Sequence, residues 1–243
     1  MKKLSLLLLA LFSTSAMAVI GIDKDDAFGY AGASISYNQS AFTTANNAAW
    51  NFVPDLYYES RQGFIDDNLG TLYVLPYVGV SGSWRWMEVG GRFAELPTGI
   101  SDRNGNAEFG FTLGTPNVRL TYLHDVMAVH KGQELQVHVS QPISTMRRFE
   151  MIPYLEFSWR DEKLSQHLYG VSASESTASG LDQFNAGASW VYEAGIIGRY
   201  DLSRKLIMLS KIKMESHNYD SPLVQRPFGW AVEFGISYQF AGF

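Results

Sequence analysis

The sequence predicts an all-β chain, a transmembrane antiparallel β-barrel of the outer-membrane type. Three observations predict it. The last strand alternates strictly: Trp230, Val232, Phe234, Ile236, Tyr238 and Phe240 are apolar, and Ala231, Glu233, Gly235, Ser237 and Gln239 between them are small or polar. Successive strand residues point to opposite faces, so this segment has one face for lipid and one for water. The same alternation recurs along the chain at the rhythm of a membrane barrel. The third observation is at the other end, where Lys2-Lys3, the apolar stretch Leu4 to Phe12 and Ala16-Met17-Ala18 have the form of a secretory signal with a small-residue cleavage site.

The domain organisation follows: a signal peptide over residues 1–18, cleaved near Ala18, and one barrel domain over 19–243. Loss of Lys2 and Lys3 makes a net charge of −5 two units more negative. An exported acidic chain is a poor partner for nucleic acid. There is no cysteine, which removes disulfides, thiolate metal sites and thiol catalysis. Beyond residue 18 no apolar run approaches the roughly 18 residues of a spanning helix. A chain without such helices can cross a bilayer only as a closed barrel, because every backbone polar group there needs a partner.

The strands are read in order. Ala31, Ala33, Ile35 and Tyr37 mark the first, near 28–38. The second lies near 52–60, after a polar segment from Gln39 to Asn51. Leu72, Val74, Pro76, Val78, Val80, Gly82, Trp84 and Trp86 share one parity, which predicts a single long strand over about 70–89 with a break at Pro76. Phe109, Phe111 and Leu113 mark the fourth strand, and Val118, Leu120 and Tyr122 the fifth. Leu135, Val137 and Val139 mark the sixth, and Met151, Leu155, Phe157 and Trp159 the seventh. Trp190, Tyr192, Ala194 and Ile196 mark the eighth, and Leu206, Met208, Ile212 and Met214 the ninth. The segment 230–240 is the tenth. Connections alternate between short turns and long segments at 39–51, 90–106, 161–185 and 216–227. Membrane barrels keep short turns in the periplasm and long loops outside. Ten strands are expected, and twelve if 70–89 is a hairpin joined by an extra short strand.

The opposite parity carries an inward stripe of Glu134, Gln136, His138, Glu156, Arg160, Glu193, Arg199, Lys211, Lys213 and Glu233. It can line a pore, or it can fill the interior that any small barrel must fill; ten strands favour the filled interior. His124, His130, His138, His167 and His217 lack metal-ligand spacing, so no metal and no cofactor is expected. Ser216-His217 beside Glu215 and Asp220 has the residue types of a serine hydrolase, but adjacent polar residues at a loop edge are the simpler reading. No GxSxG or GxGxxG is present. Asn38-Gln39-Ser40 matches a glycosylation sequon by chance. No catalytic residue is assigned.

Several ordered fragments carry a family resemblance. They are Pro54-Asp55-Leu56-Tyr57-Tyr58-Glu59, His124-Asp125-Val126 leading to Gly132, Pro153-Tyr154, Leu168-Tyr169-Gly170-Val171-Ser172 with Gly180-Leu181, Tyr200-Asp201-Leu202-Ser203, Asp220-Ser221-Pro222-Leu223-Val224, and the closing Tyr238-Gln239-Phe240. With these the chain resembles the MltA-interacting protein (MipA)/OmpV family. The resemblance implies an outer-membrane barrel in contact with outer-membrane lipid. It also implies a non-enzymatic scaffold for a murein lytic transglycosylase and a murein synthase. A small-solute channel is the alternative function, and a lipid-acting envelope hydrolase a third. The topology places Tyr169–Ser172 and Asp220–Val224 on the outer side or in the barrel mouth, away from murein, so no binding site is carried over to them.

Overall fold

The computed structural model describes residues 27–90, 95–218 and 220–242. The expected signal segment, its expected cleavage site near Ala18 and the terminal Phe243 lie outside the described residues. Thirteen strand segments are present: β1 (Phe28–Gln39), β2 (Ala49–Ser60), β3 (Gly63–Asp66), β4 (Leu69–Leu75), β5 (Val78–Arg85), β6 (Asn106–Gly114), β7 (Val118–Asp125), β8 (Gln133–Ser140), β9 (Ile143–Met146), β10 (Phe149–Arg160), β11 (Ser189–Asp201), β12 (Leu206–Asn218) and β13 (Gly229–Ala241). They form one antiparallel sheet, and β13 pairs with β1 to close it. β8 and β9 occupy one position in the wall, since both pair with β10 on either side of the break at Gln141-Pro142. The barrel therefore has twelve strand positions, not the ten expected.

The two missing strands come from one place. The segment read as a single strand over 70–89 is a hairpin, β4–β5, turning at Pro76-Tyr77, and the short β3 precedes it. Unbroken parity concealed the turn. Tyr73 pairs with Gly79, but Leu75 pairs with Val78, and the register shift between them adds one residue. A tight hairpin alone would exchange the faces of odd and even residues, and a one-residue bulge restores them. Tyr77 takes up the turn with a φ of 64°.

The inward and outward parity of the strands holds. The closing strand has Phe234 and Ile236 at 61% and 59% exposure, facing the bilayer, against 8% for both Glu233 and Gln239 in the lumen. All ten members of the inward stripe share the inner face of the wall. Thr71, Ser81, Thr112 and Thr121 form a hydroxyl row across the inner face of β4 to β7, with oxygen separations of 2.9, 2.7 and 3.0 Å. The outer face is an apolar belt of residues such as Ile35, Phe111, Val137 and Ile212. Tyr37, Trp50 and Trp230 pack together where the belt meets the loop end. Among the described residues, no helix is long and apolar enough to cross a membrane.

The long loops lie at one end and the short turns at the other, which places the loop end outside. The longest loop, 161–188, carries two helices that the strand reading passed over. Helix α1 (Glu162–Tyr169) starts at Asp161, whose carboxylate accepts from the Leu164 N–H at 2.9 Å. Helix α2 (Ala173–Ser179) starts at a reciprocal capping box between Ser172 and Glu175 and ends at Gly180, φ 75°.

Candidate functional site: the capped lumen

The loops form a cap with its own apolar core. Phe42, Val89, Leu164, Leu168, Tyr169, Val171, Ala186 and Leu223 come from four different loops and are buried together, with Leu96, Ile100, Phe184 and Val224 packed against them. The core explains α1, whose buried Leu164, Ser165, Leu168 and Tyr169 fall on one helical face. It also resolves the position of the two family-like fragments. Tyr169–Ser172 and Asp220–Val224 meet each other: the Ser221 hydroxyl donates to the Tyr169 carbonyl at 2.6 Å, and Leu223 packs in the same core as Tyr169 and Val171. Both are structural parts of the cap. His124-Asp125-Val126 is structural too, because the Asp125 carboxylate accepts from the N–H groups of Met127, His130 and Lys131 at 2.7–2.8 Å and so shapes the loop behind it.

Beneath the cap is a lattice of opposed charges. Arg85, at the upper end of β5, meets Glu88 at 2.7 Å and Glu108 at 3.0 Å, and also pairs with Glu134. Arg160, at the upper end of β10, meets Glu134 at 3.2 Å and Glu88 at 2.9 Å, and donates to the Tyr169 hydroxyl at 3.1 Å. Tyr169 and His217 Nδ1 are 2.8 Å apart, and the Phe42 ring stands edge-on to His217. Burial opposes the charge of Glu88, yet Arg160 and Arg85 hold its carboxyl down to about 2. Burial pushes the Tyr169 phenol up to about 12. The lattice joins wall to cap, since Glu88 and Tyr169 belong to loops and the rest to strands.

Farther down, Glu193 lies 3.2 Å from Lys213 and accepts from the Tyr154 hydroxyl at 2.7 Å. Glu156 is 3.1 Å from His138. Near the turn end Arg199 meets Glu150 at 2.9 Å and Arg119 meets Asp66 at 2.8 Å. Opposed charges thus fill much of the bore, and between them lies a cavity of about 770 Å³. Buried pairs of this kind contribute little net stability, because desolvation offsets their attraction, but removing one partner is costly.

The sequence offered one constellation for hydrolysis, and the strand separates it. Ser216 and His217 are consecutive on β12 and point to opposite faces: the Ser216 hydroxyl is exposed and donates to the Pro227 carbonyl, while His217 is buried in the lumen beside Glu215 at 3.7 Å. Asp220 is exposed in the following loop. No nucleophile–base pair forms there. Among the described residues no group of His, Asp or Glu is arranged to hold a metal ion.

Comparison with known proteins identifies the family. Residues 31–240 match the family model of the MltA-interacting protein MipA. A 96-residue stretch is 27% identical to the putative outer membrane protein YiaT of Escherichia coli K12, covering 38% of this chain and 39% of that protein. Among solved structures, Neisserial surface protein A aligns at 9% identity with a TM-score of 0.33, over 88% of this chain and 97% of its own. OprG of Pseudomonas aeruginosa aligns at 13% with a TM-score of 0.28, over 92% and 100%. Those two likenesses are loose, and the architecture rests on the strand pairing itself. With the family model matched over nearly the whole described barrel, the chain is an outer-membrane β-barrel that belongs to the MltA-interacting protein MipA family.

Proposed function

We propose that the protein is a non-enzymatic scaffold of the outer membrane that positions murein-processing enzymes, a lytic transglycosylase and a murein synthase, beneath its turn end. The observation that carries this reading is the cap. Four loops share an apolar core across the outer mouth and are clamped to the wall through Glu88 and Tyr169. A capped, charge-filled barrel suits a part that holds position better than one that passes solute. The family match supports a murein partner, and the separation of Ser216 from His217 supports the absence of hydrolysis at that site.

The test is crosslinking in intact envelopes followed by isolation of the full chain. Recovery of a murein lytic transglycosylase through residues of the turns 61–62, 115–117 or 202–205 is the expected result. Crosslinks confined to the loop end would overturn it. The cavity favours a small-solute channel as the second reading. Planar-bilayer recording separates the two: the scaffold reading expects no steady conductance from the full chain, and the channel reading expects discrete, solute-sensitive steps.

A further inference from the structure

The barrel wall has a window. β2 pairs with β1 along almost its entire length, but with β3 only from Tyr57 to Ser60. The β3–β4 hairpin turns at Asp67-Asn68, so among the described residues 49–56 of β2 have ladder partners on one side only. The missing stretch of wall is two strands wide. β2 and the upper end of β5 therefore stand three inter-strand spacings apart, about 14 Å. The window is framed on all sides. Its sill is the hairpin turn, held by the Asp67 N–H to the Leu56 carbonyl at 2.9 Å and by Asn68 Nδ2 to the Trp84 carbonyl at 3.1 Å. Above it the Thr44 N–H donates to the Glu95 carbonyl at 2.8 Å and joins the two flanking loops.

The cavity reaches this window. Its strand-borne lining has inward parity everywhere except at Pro54 and Leu56, which face outward on β2; across the gap it touches Trp86, of the outward parity of β5. Lumen and bilayer face are continuous there. An unpaired strand edge is tolerated at membrane depth only where it borders protein or a water-filled cavity, and this edge borders one. Pro54 has no N–H, which removes a donor from the edge and disfavours an added strand.

The window has a polarity. Exposed Trp50, Phe52 and Trp86 stand on its bilayer side. Inside, Asp55 accepts from the Ser34 hydroxyl at 2.7 Å, and Asp67 and Glu233 stand near Lys211 as the local cation. The cap stands over the outer mouth, and the window is the opening of this lumen that faces the membrane. We propose that the window is a lateral portal for a membrane amphiphile with a cationic head group, the head drawn toward Asp55 and Asp67 and the hydrocarbon tail left between the edges of β2 and β5. The proposal stands independently of the scaffold role.

The full chain in nanodiscs, titrated with dodecyltrimethylammonium, dodecyl sulfate and dodecyl maltoside, tests it by calorimetry. Only the cation is expected to bind saturably. Asp55→Asn should weaken it by about tenfold, the size of one lost charge-assisted contact, with heat-modifiable gel migration unchanged. Val53→Trp, or Ser83→Trp in the lumen at the foot of β5's open stretch should the first fail to fold, should abolish saturable binding by filling the window. Equal, unsaturable uptake of all three amphiphiles would overturn the portal, as would binding that survives the filled window. Crosslinked dimers through Trp50→Cys without amphiphile would instead assign the edge to a second copy of the chain and overturn it too.

Discussion

Glu233 and Phe234 are neighbours in sequence and sit in different solvents, one in the lumen at 8% exposure and one against the bilayer at 61%. The barrel depends on this residue-scale alternation, and it makes an asymmetric prediction. Phe234→Arg should lower unfolding stability by roughly 2–4 kcal/mol if it lies near the midplane, because a guanidinium there has no water and no partner. Glu233→Gln keeps the shape and a polar lumen contact and should cost much less. Urea-induced unfolding of both variants in vesicles checks the order, and equal effects would mean that the closing register is shifted. The luminal lattice gives a second residue-scale prediction. Arg160→Met leaves Glu88 and Glu134 with Arg85 as their shared cation. Stranding a buried charge costs about 3 kcal/mol or more, so Arg160→Met should destabilise strongly, and adding Glu88→Gln should recover part of the loss. A double-mutant cycle reads the coupling directly.

At the scale of elements, prolines mark where the ladder stops. Pro54 lies in β2 where that strand has one partner, Pro76 turns the β4–β5 hairpin, and Pro153 sits in β10 opposite the break between β8 and β9. A residue without an N–H cannot complete a central ladder, so it collects where none is needed. That signal was in the sequence. At Pro76 parity alone points to a break in one long strand, because the one-residue bulge beside the turn keeps the same parity on both arms of the hairpin. α1 and α2 escaped for another reason. Each is under three turns, and a Ser-rich segment of that length has little periodicity to detect. Their caps were nonetheless legible, as Asp161 three residues before Leu164, Ser172 three before Glu175, and Gly180 after the last turn. Glycine at one ladder position is obligatory. A Cβ on Gly110 would stand 1.7 Å from the Tyr122 carbonyl oxygen, backbone that cannot yield without moving β7. Gly110→Ala should therefore lower the yield of folded barrel, whereas Gly82→Ala, whose Cβ would meet nothing closer than the Glu108 carbonyl oxygen at 4.0 Å, should not. Heat-modifiable migration of the two refolded variants compares them.

For the whole molecule, closure and inward charge could be derived from alternation because both are period-2 properties repeated in every strand. The cap and the window could not. Both depend on which loops meet in space and how far one hairpin climbs, and no local pattern encodes either. We expect the cap to behave as a second folding unit set on the first, since it has a core separate from the ladder and an electrostatic clasp of its own. Arg103 meets Glu175 at 2.7 Å and donates to the Gly170 carbonyl at 2.8 Å. Burial opposes the Glu175 charge, but Arg103 and the N–H groups of Ser172 and Ser101 hold its carboxyl down to about 2, below the value of about 4.3 in an unfolded chain. A depressed carboxyl contributes its stability above the unfolded pKa and loses it as pH falls toward the folded one. Protease protection of the 161–188 loop should therefore be full near pH 5 and decline toward pH 2, while Glu175→Gln should lower protection at pH 5 and flatten its dependence on pH across that window. The independence of the two units can be read with Leu164, fully buried in the cap core. Leu164→Ala removes transfer energy and leaves a cavity, a loss of about 2–5 kcal/mol, and that loss should fall on the cap alone. Amide exchange in α1 should accelerate while exchange in β12 and β13 stays slow and the barrel keeps its heat-modifiable migration. Equal acceleration in the strands would mean that the lattice through Glu88 and Tyr169 binds cap and wall into one cooperative unit.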